Sequence, residues 1–237
     1  MHSLTQTQSV TLRSFLGRTF SWMTAGMVMT AIAAWFAVTN EGLFSFVRSN
    51  YFMLVLLELG MVFGLGFLIN RISAATAGIM FSIYAVLNGL TLSGILLAYH
   101  VMGGSGPSPV VSAFITTAGL FGTMAVVGYT TKMDLSRFGT IFFMGVIGLV
   151  IASIVNIWIG GSALSMVISV VGVILFCAIT AYDMQKLKEM ALSGGDGFTQ
   201  SEMGEKMAVF GALNLYLDFI NIFLFLLRLF GGGRSNN

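Results

Sequence analysis

Asp183, in the stretch AYDMQKL, and Asp218, in LYLDFIN, each interrupt a long apolar run. A carboxylate at the centre of a bilayer costs at least ~2.5 kcal/mol even on lenient scales, so one that is kept there is expected to have a function. Two carboxylates in one low-dielectric site cannot both ionise cheaply. They share a proton, or they hold a cation between them. Carboxylate and carbonyl oxygens suit Ca²⁺. A pair that chooses between a proton and a cation is a pH-responsive ion site, and Asp183 with Asp218 is the candidate sensor, gate and Ca²⁺ ligand pair.

Other polar residues cluster around this pair. At 100° per residue, Asn214, Asp218, Asn221 and Arg228 fall within an arc of about 80°, one stripe on an otherwise apolar helix. The stripe reads as the lining of an ion pathway through Asn214, Asp218 and Asn221. The plainer alternative makes the asparagines interhelical hydrogen-bond donors and lets Arg228 snorkel to the interface. On the preceding segment Ser165, Ser169, Gly172, Phe176, Thr180 and Asp183 share a face of similar width, small and weakly polar, suited to close packing. Glu58, in VLLELGMVFG, is either on an ion route or hydrogen-bonded beside a hydrated vestibule. Arg71, in FLINRIS, is a membrane-edge anchor or a modulator that reaches one of the aspartates. Tyr84, Asn88, Thr91 and Ile95 share a face that reads as packing and hydrogen bonding, as do Ser153 and Asn156. His100 marks a segment boundary. The 16 methionines have no cysteine or histidine cluster beside them to suggest copper, and Cys177 reads as a small buried hydrophobe.

The elements that must position these groups follow from composition. The chain has 237 residues, 57% of them hydrophobic and 8% charged, with a mean hydropathy of +0.92. A soluble domain carries roughly a quarter charged residues, so this is an integral membrane protein. The apolar runs are continuous, which disfavours a β-barrel, and 29 glycines against 2 prolines point to closely packed helices. A span needs ~20 apolar residues. That length places seven, near Ser21–Val38, Tyr51–Ile69, Ala74–Tyr99, Val110–Tyr129, Gly139–Ile159, Leu164–Met190 and Gly211–Phe230. The clearest breaks are GGSGPSP (Gly103 to Pro109), TKMDLSR (Thr131 to Arg137) and SGGDGFTQSEMGEK (Ser193 to Lys206). Residues 1–20 are expected to form a cytoplasmic tail without a cleavable leader, 21–230 the transmembrane domain and 231–237 a C-terminal tail.

Arg13, Arg18, Arg71, Lys132, Arg137, Lys186, Lys188 and Lys206 fall on one side of such a seven-span chain, and Arg48, Arg228 and Arg234 on the other. Eight against three puts the N-terminus in the cytoplasm. A re-entrant last segment would return the C-terminus to that side. The first three and next three spans could form two halves around the seventh, though no residue match marks a repeat.

The segments NGLTLSGI (Asn88 to Ile95), AFITTAGLFGTMAVVGYTTKMDLS (Ala113 to Ser136), AYDMQKL and LYLDFINIFLFLLRLFG (Leu215 to Gly231) occur in an order that resembles the Bax inhibitor-1 family, the transmembrane Bax inhibitor motif proteins, in its bacterial branch. The resemblance runs from Phe20 to Gly231. It implies an all-α membrane fold of seven transmembrane helices with the last wrapped by the other six, and a pH-sensitive Ca²⁺ leak in the bacterial plasma (inner) membrane. It assigns the family's two-aspartate sensor to Asp183 and Asp218 and its arginine to Arg71. The family's glutamate falls on Glu58 after a shift of about two residues. The loop between the aspartates, Lys186 to Val209, looks longer than in compact members.

Competing readings fail at named residues. Tyr182 and Asp183 fit the first half of an intramembrane aspartyl protease, but Leu215, Tyr216 and Leu217 before Asp218 lack the glycines of the second half. No lysine lies in the seventh span for a retinal. The stronger alternative is a membrane interaction protein that modulates a protease or stress-response complex, with structural aspartates. No enzymatic activity, organic cofactor or nucleic-acid partner is expected. The expected partners are the lipid bilayer, Ca²⁺, H⁺ and other membrane proteins. The odd number of spans yields a first test. Reporters fused to the two termini should lie on opposite sides of the membrane, and a shared side would mean that the last segment is re-entrant.

Overall fold

The computed structural model describes residues 6–101, 108–195 and 197–232, all helices and short connections, with no strand among the described residues. In chain order the helices are α1 (Gln6–Thr39), α2 (Glu41–Ser49), α3 (Tyr51–Leu68), α4 (Ala74–Val101), α5 (Pro109–Thr130), α6 (Gly139–Ile159), α7 (Ser162–Ser193) and α8 (Glu202–Gly232). Two 3₁₀ turns, Leu135–Phe138 and Phe198–Gln200, precede α6 and α8. All but α2 are long and apolar enough to cross a membrane, and the protein is an all-α membrane protein with seven candidate spans. Part of the GGSGPSP break, the first five residues, the side chain of His100 and Arg234 lie outside the described residues.

Local chemistry sets the ends. Pro109 opens α5 at the first helical position, where its missing N–H goes unused. Gly160 closes α6 with a φ of 67°, a left-handed conformation that costs glycine nothing. Asn40 caps α2 by accepting the Leu43 N–H at 2.9 Å, and Glu41 sits in its first turn. Between α5 and α6, Asp134 accepts the Ser136 N–H at 3.0 Å and hydroxyl at 2.5 Å. The Ser136 hydroxyl, then its N–H, hold this carboxyl below its ordinary value, with a smaller contribution from Arg137.

Three boundaries differ from the sequence reading. Helix α1 begins at Gln6, so described residues of the expected tail are helical, and Leu12, Phe15 and Thr19 are buried on one face of it. Helix α2 occupies a stretch that the span ruler treats as a connection, because nine residues are too few to cross. Helix α8 starts at Glu202, with Ser201 Oγ accepting the Gly204 N–H at 3.0 Å and Glu202 and Glu205 in its first turn. The connection between the aspartate helices is therefore short. It runs from the end of α7 at Ser193 to Glu202, and the polar residues that suggested a long loop lie on helix ends.

The chain divides into two compact units, Met1–Ala98 with Leu187–Tyr216, and Tyr99–Lys186 with Leu217–Asn237. In the first, Phe198 packs on Phe15 at 5.6 Å, and the Arg18 guanidinium donates to the Thr199 carbonyl and to Glu205, the latter at 3.4 Å. In the second, Phe225 of α8 stacks on Phe176 of α7, centroids 6.0 Å apart, and its ring occupies the space left by the missing side chain of Gly172. Of the seven spans α8 is the most buried: 67% of its most apolar window is covered, against at most 44% elsewhere.

Gly128 of α5 lies so close to α7 that any Cβ there would strike the Ala181 backbone. Backbone cannot rotate away. Gly128→Leu should therefore destabilise the protein by about 1–3 kcal/mol or more, read as a lower melting temperature in detergent, whereas Gly122→Leu, where a Cβ meets nothing within 4 Å, should melt like wild type.

Candidate functional site

Asp218 is buried in the middle of α8, 3% exposed, and its Oδ2 has no hydrogen-bond partner among the described residues. Removing a carboxylate oxygen from water without replacing its hydrogen bonds is costly. Asp183 of α7, half-buried, is close enough for its charge to act on Asp218. The Thr180 hydroxyl lies beside Asp218 but donates to the Phe176 carbonyl at 2.8 Å, one turn back along its own helix. Lys186, one turn beyond Asp183, is the cation that acts on it, and it also lies 6.0 Å over the Tyr182 ring. Cys177 is half-buried near Asp218 and not fully enclosed.

The helix that carries Asp183 is held by a residue that sequence reasoning missed. The Gln185 amide accepts the Leu135 N–H at 2.7 Å and donates to the Met133 carbonyl at 2.8 Å, tying α7 to the turn between α5 and α6. A glutamine in the run DMQKLKEM carries no signal of this role, because its partners lie 50 and 52 residues away.

The polar stripe of α8 is only partly what its spacing suggests. Asn221 is half-buried, and its side-chain amide donates to the Leu217 carbonyl at 2.8 Å, a bond within its own helix and not an interhelical one. Arg228 is exposed, with its guanidinium 5.9 Å from the Phe225 ring. Asn214 is half-buried and lies in the first unit.

The first unit holds a second buried acid. Glu58 of α3, 9% exposed, accepts from the Thr91 hydroxyl at 2.7 Å and from the Asn88 amide at 3.3 Å, both on α4. Asn88 in turn accepts from the Tyr216 hydroxyl at 3.0 Å, and Tyr216 meets the Thr30 hydroxyl at 2.6 Å. Thr30 reaches the Gly26 and Ala85 carbonyls, each at 2.9 Å. The amide of Asn88 is thereby oriented, with its nitrogen toward Glu58 and its oxygen toward Tyr216. Asn88 and Thr91 are readable from their shared helix face. Thr30 and Tyr216 are not, since they come from two other helices and no spacing along the chain relates them to Asn88. Arg71 is exposed in the turn after α3 and belongs to the first unit, whereas both aspartates belong to the second. Asn156 Oδ1 on α6 is buried without a hydrogen-bond partner among the described residues, and Ser153 donates to the Leu149 carbonyl of its own helix at 2.8 Å. Among the described residues no group of three or more His, Cys, Asp and Glu side chains gathers as a metal cluster.

Comparison with known proteins adds a lineage to this geometry. Residues 12–236 match the family model described as inhibitor of apoptosis-promoting Bax1. An uncharacterised protein of Deinococcus radiodurans is 47% identical over 232 residues, covering 97% of this chain and 96% of its own. Inner membrane protein YbhL of Escherichia coli K12 is 40% identical over 228 residues, covering 94% and 93%. An uncharacterised protein of Borreliella burgdorferi is 37% identical over 241 residues and covers both chains completely.

The Thr30, Tyr216 and Asn88 chain is open to test. Tyr216→Phe keeps the ring but leaves the Asn88 oxygen buried without its donor, which should cost about 1–3 kcal/mol. A melting temperature equal to wild type in detergent would show that the hydroxyl does not orient Asn88.

Proposed function

Because this chain belongs to the Bax inhibitor-1 family of membrane proteins, we propose that it is a pH-sensitive Ca²⁺ leak, by channel or by proton-coupled exchange, gated by Asp183 and Asp218. Its relative's name supports a place in the bacterial inner membrane, and the lysine and arginine distribution supports a cytoplasmic N-terminus. The observation that carries the reading is the buried, unpartnered Oδ2 of Asp218 beside a second carboxylate. An apolar protein has no structural need for that oxygen, since an asparagine would pack as well without the penalty of ionisation.

The chemistry follows from charge accounting. With both carboxylates ionised the pair repels itself in a low-dielectric site, and either one proton or one divalent cation relieves it. Ca²⁺ takes 6–8 oxygen ligands when held tightly. Two carboxylates supply too few, which suits an ion that passes and not one that stays. Asp218 on α8 and Asp183 on α7 thus act as a contact whose strength depends on protonation, and that contact biases how the two helices pack. Gln185 positions the Asp183 helix by bonding to the adjoining turn. Glu58 is a second acid on the cation route, with its oxygens oriented by Thr91 and Asn88. In this reading Asn214 and Asn221 line the path beside Asp218 on α8, and the chain performs no covalent chemistry.

Ca²⁺ flux into proteoliposomes containing only this protein, measured across pH, tests the reading. Wild type should show a flux that changes with pH, while Asp218→Asn and Asp183→Asn should each flatten the profile. A variant that keeps the wild-type profile removes the pair from the mechanism. The absence of any flux from folded wild-type protein would favour a membrane interaction protein with structural aspartates.

A further inference from the structure

On the first unit a cavity of about 480 Å³ opens between α2, the start of α3 and the second half of α4. Its polar lining comes from Arg48, Tyr51, Thr91 and Ser93, and its apolar walls include Phe44 and Val47. Helix α2 lies between the end of one span at Thr39 and the start of the next at Tyr51, so the cavity sits at the membrane boundary. Nine residues rise only ~13 Å. Val47 is buried, whereas Phe46 is 52% exposed and Phe52, just into α3, is 74% exposed, the pattern of a short helix lying in the interface with acyl chains against it.

Charge decides what fits. Arg48 is exposed and, among the described residues, has no ion-pair partner and is the one charged side chain lining the cavity. Ser93 already donates its proton to the Leu90 carbonyl at 2.6 Å, leaving its oxygen as an acceptor. Thr91 turns its hydroxyl to Glu58, which is not part of the lining. Among the described residues the lining itself holds no carboxylate, and Glu58 lies behind it, near enough to Tyr51 for its charge to act on the phenol. A guanidinium binds phosphate oxygens in a two-pronged geometry, and basic pockets between membrane helices hold anionic headgroups. A zwitterionic lipid would bring an ammonium group for which the lining has no counter-charge.

We propose that this cavity binds one anionic phospholipid, with its phosphate on Arg48 beside the Tyr51 phenol and its acyl chains leaving over Phe44 and the exposed Phe46 and Phe52. The volume accommodates a headgroup and glycerol backbone, and the tails remain in the bilayer. Because Thr91 forms part of the lining and also holds Glu58, the lipid sits one side chain from the buried acid of the same unit. The site stands independently of any ion flux.

The test is native mass spectrometry of the purified full chain after equilibration with equal amounts of phosphatidylglycerol and phosphatidylcholine in mixed micelles. Wild type should retain one phosphatidylglycerol with roughly fivefold preference, the factor expected from one arginine near a membrane surface. Arg48→Gln should bring that preference close to one, while Arg13→Gln, an exposed arginine outside the cavity, should leave it intact. Gly94 lines the cavity and a Cβ there meets nothing within 4 Å, so Gly94→Leu should fill the space and release the lipid with Arg48 still present. If Arg48→Gln does not fold, the wild-type preference and Gly94→Leu decide. Equal retention of the two lipids by wild type, a preference that survives Arg48→Gln or Gly94→Leu, or displacement of the lipid by millimolar inorganic phosphate would each overturn the proposal.

Discussion

A buried polar atom inside a lipid-spanning helix has no water to turn to, and its arrangement has to come from the protein itself. Two acids in this chain meet that constraint in different ways. Glu58 is supplied with two donors, and one of them, Asn88, is oriented in turn by the Tyr216 hydroxyl. Asp218 has an oxygen with no hydrogen-bond partner among the described residues. The first arrangement fixes a carboxylate in place. The contrast between the two is the reason the proposed switch is placed at Asp218.

Close packing makes such provision possible. With little hydrophobic drive between helices in lipid, contact depends on small residues and shape. Gly172 receives the Phe225 ring, Gly128 lies against the Ala181 backbone, and Gly89 against the Thr30 carbonyl, next to the hydroxyl that meets Tyr216. Gly89 thus adjoins Asn88, and Gly128 packs on Ala181, the residue after Thr180 and two before Asp183. The small stripe of α7 combines both roles, since Ser169 and Thr180 return their protons to their own helix and present little that is polar to a neighbour.

The correspondence between sequence and structure is uneven for physical reasons. Continuous apolar length is a property of the chain itself, so the helix at Gly139–Ile159 is readable to the residue and the span read as Ala74–Tyr99 lies within α4, which runs on to Val101. Polar residues at helix ends mislead the same ruler. Ser193 to Lys206 looks like a loop by composition, yet it supplies the end of α7, a 3₁₀ turn and the capped start of α8. Helix α2 carries a cap signal, Asn40 followed by Glu41, that a search for membrane spans passes over.

The lone acids announce themselves because ionisable residues in apolar runs are costly wherever the chain folds, so Asp183, Asp218 and Glu58 were legible from composition and position alone. Their surroundings were not. Asn221 shares the Asp218 stripe by spacing but bonds to its own helix, while Gln185 and Tyr216, which no pattern singles out, supply long-range hydrogen bonds. By itself the sequence determined the membrane class, the seven apolar spans and the identity of the acids, because these depend on side-chain cost and helix length. Only the tertiary structure decided which acid is satisfied and which is left open, because a hydrogen bond across 128 residues of chain depends on where helices meet.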